Sequence, residues 1–389
     1  MPPSSSRPHV PIAPAVSVSL DLMRFSLATI VVLGHLTQPA FQNAWPNLTG
    51  VAVASVGGFF VLSGYTIRSF TPSAAAFDVR RFFVDRATRL LSLTLIALVA
   101  TLALDAYSSA VAPAWYGRNW GAHADHPVLR IAANALLVNE VWGIDVSPLS
   151  NSPFWSLGYE AGFYAIWGAL LFCRRTGRAL VIPVAVALLY GPDVIAMLPF
   201  WLAGVLIHDW FATSPSRRTA IVALAVSLPA ALGVAASHKL TELALTPGID
   251  RVDAMLRLVG CPPARVHPTL VSGSLIFVFL LVALLAALSL AGSRVRPGTR
   301  LVAFARKLGD ATFPLYLLHF PLLVAIGATV QGRPLSSAAK LLVLASLTAM
   351  AFAVVPLGNR VKDAMRAFAN RKATVAPVRG VAGADDAVR

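Results

Sequence analysis

The chain has 389 residues, of which 57% are hydrophobic and only 13% charged, and its mean hydropathy is +0.71. A soluble domain carries about 25% charged residues and has no need of apolar runs near twenty residues, so the composition excludes a soluble globular protein. The net charge of +15 does not point to nucleic acid, because the basic residues sit between apolar runs, where the positive-inside rule accounts for them.

The apolar runs are continuous, whereas barrel strands alternate apolar and polar residues. They therefore predict an all-α, polytopic membrane helix bundle. In chain order the expected spans are 18–37, 51–68, 89–108, 153–173, 179–191, 193–211, 219–237, 270–291, 312–331 and 339–357, about ten in all, the fifth being short. Residues 1–17 are Pro/Ser-rich and are expected to be a mobile segment. No small-residue cleavage site follows the first run, so that run is expected to stay as a helix. The stretch 129–142 is too short to cross and reads as a re-entrant or interfacial segment. Residues 18–358 form the membrane domain, and 359–389 read as a basic, disordered tail.

Placing the N-terminus in the cytoplasm puts 23 of the 32 Lys and Arg residues inside and 8 outside, with Arg24 within a span. This bias predicts cytoplasmic N- and C-termini. Cys173 and Cys261 then fall on opposite sides, so no disulfide between them is expected, and no metal pattern is present. The long outside segments, 109–152 and 238–269, are the expected meeting place for a large polar partner.

Five stretches carry polar residues where lipid-facing helices would not. In "LDLMRFSLATIVVLGHL", Leu20 to Leu36, Arg24 and His35 are eleven residues apart. That is about three turns, so they share one face about 16 Å apart, with Asp21 one turn before Arg24 as its expected partner. Intramembrane charge is costly and belongs in the protein interior or a water-filled path, although a snorkelling Arg24 and an interfacial His35 would read the same way. "GGFFVLSGYTIRSF", Gly57 to Phe70, offers close approach at Ser63-Gly64, either to a ligand or to a packed helix. "RRFFVDRATRLL", Arg80 to Leu91, sets Arg86 and Arg89 on one face where the third span begins, a placement that suits phosphate as well as membrane anchoring.

In "NSPFWSLGYEAGFY", Asn151 to Tyr164, the helix is expected to start near Pro153, with Glu160 about 10 Å below the outer surface. His35 lies at similar depth, so a Glu160–His35 pair is expected, which would fix the imidazole tautomer and raise its basicity. In "LGDATFPLYLLHFPLL", Leu308 to Leu323, His319 is expected in the inner half of the ninth span, between Tyr316 and helix-bending Pro321. No G-x-S-x-G, Walker A, H-E-x-x-H or Gly-rich dinucleotide motif occurs.

In order, spacing and topology these stretches resemble the acyltransferase 3 family of integral-membrane acyltransferases. Arg24 and His35 match its first-helix motif, "FFVLSGY" (Phe59–Tyr65) its second, and Arg86-Ala-Thr-Arg89 its basic motif. "FWSLGYE" (Phe154–Glu160) and "LYLLHFP" (Leu315–Pro321) match its later motifs. The sequence departs from the family pattern at Ser92, where proline is common, and at Asp310 and Phe313-Pro314, where serine is common. The soluble hydrolase-like domain that some members append is not expected, so a second catalytic step would fall to another protein.

The resemblance implies transfer of an acetyl or other short acyl group from cytoplasmic acyl-CoA, such as acetyl-CoA, to a carbohydrate hydroxyl on a surface polysaccharide or lipid-linked glycan. It implies a multi-pass protein of the bacterial inner membrane, with no bound cofactor, no metal and no nucleic-acid partner. In that reading Arg86 and Arg89 hold the CoA phosphates, and the pantetheine arm passes Arg24, Ser63, Gly64, Tyr65 and His319. His35 is general base or acyl carrier, Glu160 orients it, and Arg24 or Tyr65 steadies oxyanion charge. The alternative is a transporter or exporter of a lipid-linked sugar, which also places charge at mid-membrane.

Overall fold

A computed structural model describes residues 12–41, 45–71, 74–123, 125–258, 266–292 and 295–374. Among these residues there are thirteen α-helices and no strand: α1 (Pro14–Leu36), α2 (Thr49–Phe70), α3 (Val79–Val111), α4 (Pro113–Trp120), α5 (Pro127–Ala135), α6 (Trp155–Thr176), α7 (Val181–Tyr190), α8 (Pro192–Ala212), α9 (Arg217–Ala236), α10 (His238–Leu258), α11 (Pro268–Ala291), α12 (Arg300–Thr329) and α13 (Ser337–Thr374). The helices start where local chemistry allows. Proline opens α1, α8 and α11, where its missing N–H costs nothing. Asp78, Ser216 and Thr299 cap α3, α9 and α12 by accepting a backbone N–H.

Each of the ten expected spans falls on a helix, and eight of those helices are long and apolar enough to cross a membrane. The other two are α6, which carries Glu160 and ends on Arg174 and Arg175, and α7, which has only 10 residues. Helix α7 stops at Gly191 (φ +93°), where a side chain would also meet the Trp142 backbone.

Several boundaries lie outside the predicted ones. Helix α1 already includes residues 14–17 of the segment expected to be mobile. Helix α13 runs on to Thr374, so residues 359–374 of the expected disordered tail are helical, and residues 375–389 lie outside the described part. The extension docks on the start of α3: Arg366 pairs with Asp85 at 3.0 Å, and Arg80 donates to the Ala369 carbonyl. Helix α12 begins at Arg300 rather than 312. The stretch 238–258 is the helix α10 rather than a loop. Residues 129–142 form no span: α5 ends at Ala135 and irregular chain follows. Cys173 is a free, buried thiol, and Cys261 lies outside the described residues.

Helix α2 is the centre of the bundle, held between α1, α8 and α11. Its glycines allow backbone contact: a Cβ on Gly64 would stand 1.9 Å from the Trp201 carbonyl of α8, and one on Gly204 would stand 2.0 Å from the Val61 carbonyl of α2. Close small-residue seams are the usual way to pack helices when lipid removes the hydrophobic drive between them.

Candidate active site

The irregular chain before α6 is itself buried, and this sets the depth of the site. The Asp105 carboxylate on α3 accepts from the backbone N–H (2.9 Å) and the hydroxyl (2.6 Å) of Ser150. Pro321 in α12 has no N–H to offer the Leu317 carbonyl, and Asn151 Nδ2 supplies the missing donor at 3.0 Å. Helix α6 therefore starts inside the bundle, with Phe154 1% and Asn151 0% exposed. Glu160 is carried down to the level of the arginines.

That level is one polar cluster. Arg24 Nη1 lies 3.4 Å from Asp21 Oδ1, the pairing expected one turn apart, and Nη2 donates to Thr66 on α2. Ser63, one turn along α2, donates to Glu160 Oε1 (3.1 Å) and receives the Trp201 indole N–H (3.3 Å). Tyr164, one turn after Glu160 on α6, donates to the same carboxylate. Arg86 and Arg89 complete the ring from α3. The Nε of Arg86 is buried and has no hydrogen-bond partner among the described residues, and Arg89 stands at the exposed edge.

Arg24, Ser63, Arg86, Arg89, Glu160 and Tyr164 line one cavity of about 110 Å³. Its lining on α2 runs from Ile67 to Val56, about 16 Å of helix. Three guanidinium groups face two carboxylates, Asp21 and Glu160, so the site favours an anion. The far end is closed by Phe59 and Tyr316, whose ring centres are 5.7 Å apart. The Tyr316 hydroxyl donates to the Pro153 carbonyl (3.0 Å) and accepts from Ser156 (2.7 Å), so the closure is fixed by hydrogen bonds.

Beyond Tyr316 lies a second cluster, at the opposite end of α1. His35 and His319 are neighbours, with ring centres 5.2 Å apart. His35 also meets the edge of Phe320 at 4.8 Å, and its Nδ1 lies 2.9 Å from the Gln38 amide nitrogen. His319 is fully buried, and its Nδ1 reaches the Tyr316 carbonyl (2.7 Å) and the Leu315 carbonyl (3.2 Å). Phe320 passes to Trp120 (6.2 Å) and on to Trp115 and Phe41, so an aromatic cluster covers this end.

The structure thus divides the nine site residues expected from the sequence. Arg24, Ser63, Arg86, Arg89 and Glu160 meet in the cavity, and His35 and His319 meet beyond it. The expected Glu160–His35 pair is not formed: the partners of Glu160 are Ser63 and Tyr164, and that of His35 is Gln38. The buried start of α6 is the cause. His319 is not in the inner half of its helix, as expected, but in the second half beside His35, because α12 begins twelve residues earlier than the hydropathy suggests. Gly64 and Tyr65 line no part of the cavity. Gly64 is the contact point with α8, and Tyr65 packs edge-on against His208 at 5.2 Å.

Thr66, Tyr164 and Gln38 were not identified from the sequence. Thr66 and Tyr164 lie one helical turn from Ser63 and Glu160, at +3 and +4, and that spacing is the signal that finds them; Gln38 lies three residues after His35 in the bend that follows α1. The sequence assigns Asn151 no role, and it becomes legible only as the donor for the carbonyl that Pro321 leaves free.

Among the described residues no group of His, Cys, Asp and Glu is arranged to hold a metal ion. No curated protein and no solved structure matches the chain. The family comparison matches residues 17–358, nearly the whole chain, to the acyltransferase domain that defines the acyltransferase 3 family. A multi-pass membrane helix bundle with this match is an acyltransferase by family, and the chain belongs to the acyltransferase 3 family.

Proposed function

We infer that this membrane acyltransferase takes a short acyl group, acetyl in the simplest case, from acyl-CoA and transfers it to a hydroxyl of a carbohydrate, on a surface polysaccharide or a lipid-linked glycan. The observation that carries the reading is the cavity. It gathers Arg24, Arg86 and Arg89 at one end, runs along α2, and stops at Tyr316, next to His319 and His35. A long thioester donor with a polyanionic head and a reactive tail needs this polarity: guanidinium forks for phosphate at the mouth, and an imidazole beyond the far end. Arg86 and Arg89 hold the phosphates. Arg24 and Ser63 flank the arm, and Glu160 keeps Ser63 and Tyr164 in place. Passage of the acyl group requires Tyr316 or Phe59 to give way.

The positive-inside bias supports a donor side in the cytoplasm and an acceptor side across the membrane, as in a bacterial inner membrane. The test is the acetyl content of purified surface glycans, read by NMR. A deletion strain complemented with the wild-type gene regains O-acetyl signals, and the same strain complemented with His35→Ala does not, at equal protein in the membrane. Unchanged glycans in all three strains, with loss of glycan export in the deletion, would favour the exporter reading instead.

A further inference from the structure

The contacts of the two histidines favour different tautomers. The Nδ1 of His319 faces two carbonyl oxygens, of Tyr316 at 2.7 Å and of Leu315 at 3.2 Å. A carbonyl only accepts, so this nitrogen holds the proton and Nε2 holds the lone pair. That Nε2 is buried and has no hydrogen-bond partner among the described residues. The Nδ1 of His35 instead faces the amide nitrogen of Gln38 at 2.9 Å. With the Gln38 amide in this orientation Nδ1 of His35 accepts, which matches the tautomer that carries the proton on Nε2. The rings are 5.2 Å apart, both against Phe320. Two imidazoles in different tautomers therefore lie next to each other just beyond Tyr316.

Nothing in the fold requires this of His319. Its backbone contacts would be served by any donor at Nδ1, and an unpartnered buried nitrogen costs stability. Its position is also firmly held: Asn151 fixes the Leu317 carbonyl and Ser156 fixes Tyr316, within one turn on the same helix.

We propose that His319, rather than His35, takes the proton from the acceptor hydroxyl, while His35 presents its Nε2–H to the thioester carbonyl oxygen. This deepens the acyltransfer reading and rests on it. The acceptor O–H proton moves to Nε2 of His319 as the acceptor oxygen forms a bond to the acyl carbon. The carbonyl oxygen gains negative charge, which the His35 N–H stabilises. The carbon–sulfur bond then breaks, and the His319 imidazolium returns the proton to the leaving thiolate. The products are an O-acyl ester and free CoA thiol, and no acyl-histidine forms.

The assay is transfer of label from [14C]acetyl-CoA into carbohydrate in membrane vesicles of the source strain, with the chromosomal copy deleted and the protein supplied in trans. Glutamine keeps an N–H donor but cannot act as a base. His319→Gln is expected to lower the maximal rate by about 100-fold or more, with the KM for acetyl-CoA within about threefold of wild type. His35→Gln is expected to stay within about tenfold of wild type, because its amide still donates. His319→Asn stands in, with the same expectation, if His319→Gln does not reach the membrane. A His319 variant within tenfold of wild type overturns the assignment. So does a His35→Gln rate as low as that of His319→Gln, or label kept on the protein after denaturation. If wild-type vesicles themselves transfer no label, the acyltransfer reading fails and this assignment with it.

Discussion

The two ends of the site are built from opposite materials. The arginine end is ionic: Arg24 is paired with Asp21 and Thr66, Glu160 accepts from Ser63 and Tyr164, and Arg89 reaches the exposed edge. The histidine end has no carboxylate, among the described residues, that bonds to either imidazole. Its hydrogen bonds come from Gln38 and from backbone carbonyls, and its walls are Phe320 and a group of tryptophans. Charge binds a charged ligand from water. Among neutral groups the position of each imidazole proton is set by the amide and carbonyl that face Nδ1. Under the proposed function, affinity belongs to the arginine end and chemistry to the histidine end, and substitutions can separate them.

The largest effect is expected where both ends are lost together. Gly64→Leu would drive a side chain into the Trp201 carbonyl, 1.9 Å from the first added atom. Backbone on both sides cannot yield as a side chain can, so the variant should not give a monodisperse peak in detergent size-exclusion chromatography. A well-folded Gly64→Leu protein would show that the α2–α8 seam is not what aligns the two ends.

His35→Ala comes next. It removes the donor at the histidine end and should lower the transfer rate by about 10²–10³-fold while leaving acetyl-CoA affinity unchanged. The double variant Arg86→Ala/Arg89→Ala is the converse. It should weaken acetyl-CoA binding by about 1.5–3 kcal/mol, seen by titration calorimetry and more strongly at low salt, while the rate at saturating donor changes little.

Glu160→Gln sharpens the boundary between the ends. The amide oxygen can still accept from Ser63 and Tyr164, and one negative charge leaves a cavity that holds three arginines. A few-fold tighter acetyl-CoA affinity and a rate within about tenfold of wild type are expected. Abolished transfer with normal binding would mean that Glu160 does serve His35. Tyr65→Phe should be the quietest change, within about 0.5 kcal/mol in stability and without effect on transfer, since the ring packs on His208 outside the cavity.

The sequence made the bundle legible through continuous apolar runs, and every expected span meets a helix. It did not reveal that α3, α12 and α13 continue into charged sequence. A helix outside the lipid core no longer needs an apolar composition, so hydropathy marks the membrane and not the helix end. Of the five residues that meet in the cavity, Arg24, Ser63 and Glu160 are legible as polar residues in apolar runs, and Arg86 and Arg89 by their i, i+3 spacing at the start of the third span. The Glu160–His35 pairing failed for a different reason. A helix that starts at the outer surface near Pro153 would put Glu160 level with His35, but that segment is folded into the core by Asp105 and Asn151, contacts made across 45 and 166 residues of sequence. No local pattern records them. The same limit moved His319, whose helix starts in the amphipathic stretch before residue 312.

The most direct measurement is acetyl-CoA affinity of the purified protein in lipid nanodiscs, compared among wild type, Arg86→Ala/Arg89→Ala and His35→Ala, with transfer rates on the same samples. The account predicts that the arginine variant binds at least about tenfold more weakly and that His35→Ala binds as wild type does but transfers almost nothing. It is contradicted if the wild-type protein does not bind acetyl-CoA, or if His35→Ala loses affinity as severely as the arginine variant.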